Sequence, residues 1–177
     1  MRKVIFLDID GVLNTKFWFT QKERDQYGNT FDPVSVSNLA KIIAKTGAEI
    51  VISSSWKWMG LETLQMMWEE RMLPGKVIDI TPESVSDDYL LYADLENIDF
   101  FSIRGQEIND WMKLYGKDIS HYVIIDDMDI PLKEQQSHFV LTDPNVGVTE
   151  WDATKAIAIL NAESGKDIIT VIRKLQK

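Results

Sequence analysis

The chain has no cysteine among its 177 residues. Disulfide frameworks, thiolate zinc sites and cysteine nucleophiles are therefore excluded. Its two histidines, His121 and His138, are too few for a histidine-rich metal centre. Positive charge is also scarce: 19 Lys and Arg against 28 Asp and Glu leave a formal charge of −9. Such a surface repels nucleic-acid backbone at long range. It disfavours nonspecific coating of DNA or RNA, while leaving room for a local basic patch. No apolar run approaches the ~18 residues of a membrane span. The run Val4–Leu7 that follows Met1-Arg2-Lys3 stops at Asp8, too soon for the core of a signal peptide. A cytoplasmic protein is expected. Low-complexity segments, repeats and long linkers are missing as well.

What is present suits one globular domain over residues 1–177. Hydrophobic residues make up 45% and charged residues 27%, ordinary proportions for such a domain. A chain of this length can bury roughly 70% of its unfolded surface, so it needs no covalent or metal staple. Short apolar runs recur: Val4–Leu7, Glu49–Ile52, Tyr122–Ile125, His138–Leu141 and, more weakly, Lys76–Ile80. None alternates with polar residues, which suits strands buried on both faces of a parallel sheet. Helical spacing lies between them, at Val34–Lys45 (Val36, Leu39, Ile42, Ile43), Leu61–Met72 and Gly105–Leu114. Thr149-x-x-Asp152 resembles a capping box opening a helix over Ala153–Leu160. A final helical pattern, Asp167–Lys177, predicts an extension over about 166–177, beyond a core at about 2–160. This alternation points to an α/β fold, a three-layer sandwich around a parallel sheet.

The residues after the apolar runs carry the chemistry. Ligands of open parallel sheets bind beyond the carboxyl ends of the strands. Those ends hold Asp8 and Asp10, Ser53 to Ser55, Asp126 and Asp127, and Asp143. Asp8-Ile9-Asp10-Gly11 follows the first strand directly. Two carboxylates two residues apart can converge where a strand gives way to a turn, and Gly11 permits that turn without a Cβ clash.

At these segments the chain resembles the haloacid dehalogenase-like (HAD) superfamily of phosphotransferases. Asp8-Ile9-Asp10-Gly11-Val12-Leu13 is similar to its first motif, Ile50-Val51-Ile52-Ser53 to its second, and Val123-Ile124-Ile125-Asp126-Asp127 to its fourth. The resemblance covers about residues 2–160. Ser53-Ser54-Ser55-Trp56-Lys57, Arg104-Gly105-x-Glu107-Ile108-x-x-Trp111 and Thr142-Asp143-Pro144-x-x-Gly147-Val148-Thr149 narrow it. They look like the HAD phosphatase domain of Swiss Army Knife RNA-repair proteins and of related free-standing bacterial and phage proteins.

The resemblance implies a Rossmann-like sheet in the order 5-4-1-2-3 and a Mg²⁺-dependent phosphatase. Asp8 would attack phosphorus and form an aspartyl-phosphate, and Asp10 would act as general acid and base. Asp8, Asp127 and the Asp10 backbone carbonyl would hold Mg²⁺, with Asp126 behind them. Ser53, or Ser54 as the alternative, would bind a phosphoryl oxygen. The third motif departs from the family: its usual lysine is missing, and the candidates are Arg104, just before the Gly105 helix, and Lys57. Arg104 is preferred because it stands where the helix leading into the fourth-motif strand begins, and a guanidinium, which grips phosphate with two parallel hydrogen bonds, can take over the lysine's role.

Between Asn14 and Val34 there are too few residues for an independent cap domain. Residues 81–103 are similarly short, so an open site with a minimal cap or none is expected. Openness favours a bulky substrate or a phosphate at a polymer end over a sequestered small metabolite, and Phe17, Trp18, Trp56 and Trp58 could stack on a base. The acidic surface favours mononucleotides or other phosphomonoesters, whereas the resemblance implies a polynucleotide end. A small-metabolite phosphatase and a catalytically degenerate, partner-binding HAD domain are the alternatives. No membrane partner and no extended nonspecific nucleic-acid binding are expected.

Overall fold

The computed structural model of the chain describes residues 2–83 and 100–162, with 100–102 as backbone alone. The predicted helix at 166–177 and most of the 81–103 loop lie outside these residues. The sheet is built from five parallel strands: β1 (Arg2–Leu7), β4 (Glu49–Ile52), β5 (Val77–Ile80), β6 (Ile119–Asp126) and β7 (Phe139–Leu141). A separate two-stranded antiparallel hairpin, β2 (Arg24–Asp25) and β3 (Gly28–Asn29), sits between β1 and β4 in the chain. The spatial order is β5-β4-β1-β6-β7. This differs in its labels from the expected 5-4-1-2-3, because the hairpin takes two numbers that the apolar pattern did not assign.

Period-two burial sends the two faces of each central strand into different cores. Ile5, Leu7, Ile50, Ile52, Val123 and Ile125 face one cluster, and Val4, Phe6, Val51 and Ile124 face the other. The first cluster is closed by α2 (Pro33–Thr46), α3 (Leu61–Glu70) and α5 (Glu150–Leu160), through Leu39, Ile42, Leu64, Met67, Ala156 and Ile159. The second is closed by α4 (Phe100–Tyr115) through Ile108 and Trp111. The Trp111 ring meets Phe6 edge-on at 5.3 Å, and its indole N–H donates to Asp79 at 2.7 Å. Helices thus cover both faces, which explains the unbroken apolar runs. None of the described helices is long and apolar enough to cross a membrane.

Local signals set the helix ends. Asp32 caps α2 by accepting from Val34 N, Pro33 occupies the first turn, and Gly47 ends the helix at φ 64°. Thr149 and Asp152 form the expected capping box, and α5 starts at Glu150. Residues 14–34 contain a one-turn helix, α1 (Lys16–Phe19), and the β2–β3 hairpin.

Candidate active site

The parallel ladder continues one residue past the strands, and this continuation builds the site. Asp8 N donates to Ile125 O, Ser53 N to Leu7 O, and Thr142 N to Asp126 O, all at 2.9–3.0 Å. Asp8, Ser53, Asp126 and Thr142 are thereby fixed side by side at the carboxyl edge of the sheet, where Ile52 O also accepts from Thr81 N. After Asp8 the chain winds tightly: Leu13 and Asn14 both donate to Ile9 O at 2.9 Å, and Gly11 N donates to Asn14 O at 2.9 Å. Gly11 has φ 73°, and a Cβ built on it would fall on the Asp127 carboxyl group. The first-motif glycine is therefore needed twice, for the left-handed turn and for the carboxylate beside it.

Asp8, Asp126 and Asp127 each bring a carboxylate oxygen within 4.8 Å of the others. Asp8 and Asp126 are almost fully buried, and Asp127 is half-buried. Burial, followed by the neighbouring Asp126 charge, pushes the Asp8 carboxyl up to about 7, although Arg104 and the Ser54 hydroxyl pull the other way. Burial also raises Asp126, with Arg104 opposing and Asp127 adding to the rise. Asp127 is raised by burial and by Asp10, against Arg104 and Lys16.

Arg104 lies between two of these acids. Its Nη1 is 3.1 Å from Asp8 Oδ2 and 2.5 Å from Asp126 Oδ2. Contrary to expectation, it does not precede its helix but sits in the second turn of α4, because that helix already starts at Phe100. The other Asp126 oxygen accepts from Met128 N at 2.9 Å. Both Asp126 oxygens are thus engaged within the protein, whereas Asp127 borders the open cleft.

The remaining candidates fall into three positions. Asp10 is exposed and lines the cleft; its Oδ1 accepts from Asn14 Nδ2 at 2.8 Å and its Oδ2 from the Trp56 indole N–H at 2.9 Å. Ser53 is buried, and its hydroxyl has no hydrogen-bond partner. Ser54 is also buried; its Oγ accepts from Trp56 N at 3.4 Å, and its hydroxyl bonds Asp8. Lys57 is paired with Glu107 at 2.6 Å and does not line the cleft.

The cleft has a volume of about 500 Å³. It opens onto Asp8, Asp10, Arg104 and Asp127, and also onto Asn14, Thr15, Lys16 and Phe19. Thr15, Lys16 and Phe19 carry no signal in the sequence that marks them as site residues, although they follow closely on the first motif. Of the aromatics expected to stack on a base, Trp56 is spent on Asp10 and on an edge contact with Phe31, and Trp18 donates to Thr30 at 3.1 Å. Trp58 is 81% exposed and Phe17 67% exposed, and neither borders this cleft.

A model of the HAD domain in Swiss Army Knife RNA repair proteins matches residues 4–153. The chain belongs to that family. None of the curated proteins matches it. Membership supports a phosphatase-type hydrolase, and the matched segment contains Asp8, Asp10, Ser53, Arg104, Asp126 and Asp127.

HAD domains generally use Mg²⁺, and the residues of this one suit it. Three clustered carboxylates are the hard oxygen donors that Mg²⁺ selects. Burial first, and neighbouring carboxylates after it, hold their proton affinities up even with Arg104 in place, and a divalent cation would offset both.

Proposed function

We propose that this HAD domain hydrolyses phosphomonoesters by way of an aspartyl-phosphate on Asp8, with a nucleotide or a polynucleotide end as substrate. The observation that carries this is the meeting of Asp8 with Asp126, Asp127 and Arg104 at one sheet edge, with Asp10 beside them on the same cleft.

Asp8 attacks phosphorus, and the bond to the leaving oxygen breaks as Asp10 gives that oxygen a proton. Water then attacks the aspartyl-phosphate, Asp10 takes the water's proton, and Asp8 is released with inorganic phosphate. Asp8 and Asp127 would hold Mg²⁺ together with the Asp10 backbone carbonyl. Asp126, whose oxygens are engaged by Met128 N and Arg104, would sit behind them. An ion held there would supply the positive charge that offsets the phosphoryl oxygens and the Asp8 carboxylate, so that nucleophile and phosphate could approach. Arg104 keeps Asp126 on one nitrogen and has further N–H groups for a phosphoryl oxygen. The Ser53 hydroxyl, buried and without a partner, remains the phosphate-binding candidate of its strand, with Ser54 the alternative. The cleft volume of about 500 Å³ lies within the usual range for small-molecule sites, which favours as a second reading a phosphatase of small metabolites.

The test is a hydrolysis screen over nucleotides, 3′- and 5′-phosphorylated oligonucleotides and sugar phosphates. Turnover is expected with Mg²⁺ and none in chelator; full activity in chelator would contradict the mechanism. Sugar phosphates alone being hydrolysed would leave the metabolite reading standing.

The same screen decides the third motif. Arg104→Ala is expected to lower kcat by about 10²–10³-fold, as for other lost contacts to a transition-state oxyanion. Lys57→Ala should affect turnover less. Its cost is in stability, roughly 1–3 kcal/mol, because it leaves the buried Glu107 carboxylate without its partner. An essential Lys57 with a dispensable Arg104 would reverse the assignment.

A further inference from the structure

The acidic chain carries one short stretch of opposite character beside the cleft. Lys16-Phe17-Trp18-Phe19-Thr20-Gln21-Lys22-Glu23-Arg24 holds Lys16, Lys22 and Arg24 against the single acid Glu23, in a protein of net charge −9. Lys16, Phe19, Lys22 and Arg24 are all exposed. Lys16 and Phe19 line the cleft that contains Asp8. Phe19 also lines a second groove, with Thr20, Lys22 and Arg24. A path therefore leads from the acid cluster past an aromatic ring, 53% exposed, to two further cations.

The path is held in place before anything binds. Lys16 N donates to Pro144 O at 2.9 Å, and Thr15 Oγ1 accepts from Trp18 N and donates to Asp32. The Trp18 indole N–H reaches Thr30, and Arg24 donates to Asn29 across the hairpin. A preset platform binds without the cost of ordering a loop.

We propose that α1 and the segment after it form a landing strip for a single-stranded polynucleotide. The terminal phosphate lies at Asp8, the adjoining base stacks on Phe19, and the next phosphates pair with Lys22 and Arg24. Stacking tolerates any base, and backbone pairing tolerates any sequence, so the strip recognises a strand end without reading it. The proposal rests on the phosphatase reading of the cleft and specifies its substrate as a strand rather than a free nucleotide.

The experiment compares p-nitrophenyl phosphate with short single-stranded oligonucleotides phosphorylated at the 5′ or the 3′ end. In Phe19→Ala, and in Lys22→Gln combined with Arg24→Gln, the ratio of kcat/KM for the oligonucleotide over the small ester is expected to fall about tenfold. Raising salt should raise the wild-type KM for the oligonucleotide, and removing the two cations should flatten that log–log slope by about 1.4. An unchanged ratio and slope would overturn the proposal. If the wild type turns over only the small ester, the strip falls and the phosphatase reading stands. If it turns over neither, the phosphatase reading fails. The strip is then decided by fluorescence anisotropy of a labelled single strand: weaker binding by the variants supports it, and equal or absent binding ends it.

Discussion

Asp8→Asn is expected to abolish turnover and, in chelator at neutral pH, to raise the melting temperature. The first effect follows from chemistry: an amide is a poor nucleophile for phosphorus and a poor ligand for a hard cation. The second follows from the environment of the wild-type carboxylate. Burial and the Asp126 charge outweigh Arg104 and lift the Asp8 carboxyl from 3.8 to about 7. Between those values the folded protein retains a proton that the unfolded chain has released, so stability falls as pH rises through this window. Asparagine has no such proton and escapes the loss. The stability advantage of the variant should therefore be absent near pH 4, grow towards pH 7 and level off above it. Thermal unfolding in chelator at pH 5 and pH 8 measures the growth. Mg²⁺ should then stabilise the wild type and leave the variant nearly unmoved, since ligation removes the burden that the amide never carried. An active Asp8→Asn protein, or one less stable than wild type at pH 8, would sink this account of the cluster.

How much of this was legible in the sequence depends on whether the signal was local. Asp8, Asp126 and Asp127 end apolar runs, and strand ends on one sheet edge bring such residues together however far apart they lie in the chain. The capping box of Thr149 and Asp152 could be read because a cap acts within three residues. The β2–β3 hairpin could not. Its strands are two residues each, with no apolar face, and are held by Arg24–Asn29 and by the Arg71 pair with Asp25. Hydrophobic period has nothing to register there. The partners of the site residues were equally hidden. Trp56 meets Asp10 across 46 positions and Lys57 meets Glu107 across 50, so neither indole nor ammonium could be assigned before the fold was known. Sequence alone therefore leaves Trp56 among the aromatics that could stack on a base, and Lys57 among the candidates for the third motif.

Asp10→Asn is expected to slow turnover by about 10²–10⁴-fold, the range for losing a positioned general acid and base, while the protein still folds and binds Mg²⁺. Folding should survive because the amide fits the existing hydrogen bonds with one adjustment. Its oxygen can take the Trp56 indole N–H that Asp10 Oδ2 takes now. Its NH₂ would then face the Asn14 NH₂, which at present donates to Asp10 Oδ1. Rotating the Asn14 amide by half a turn removes the conflict and offers its oxygen, buried and without a partner in the wild type, to the new NH₂. Mg²⁺ binding should survive because the side chain of Asp10 is committed to Asn14 and Trp56, and the acid cluster is formed by Asp8, Asp126 and Asp127. What disappears is the proton for the leaving oxygen. The deficit should therefore shrink with leaving groups that need none: p-nitrophenyl phosphate should be slowed less than an alkyl phosphate or a nucleotide. Equal slowing of good and poor leaving groups, with Mg²⁺ affinity unchanged by calorimetry, would show that Asp10 positions the substrate and that the proton comes from elsewhere.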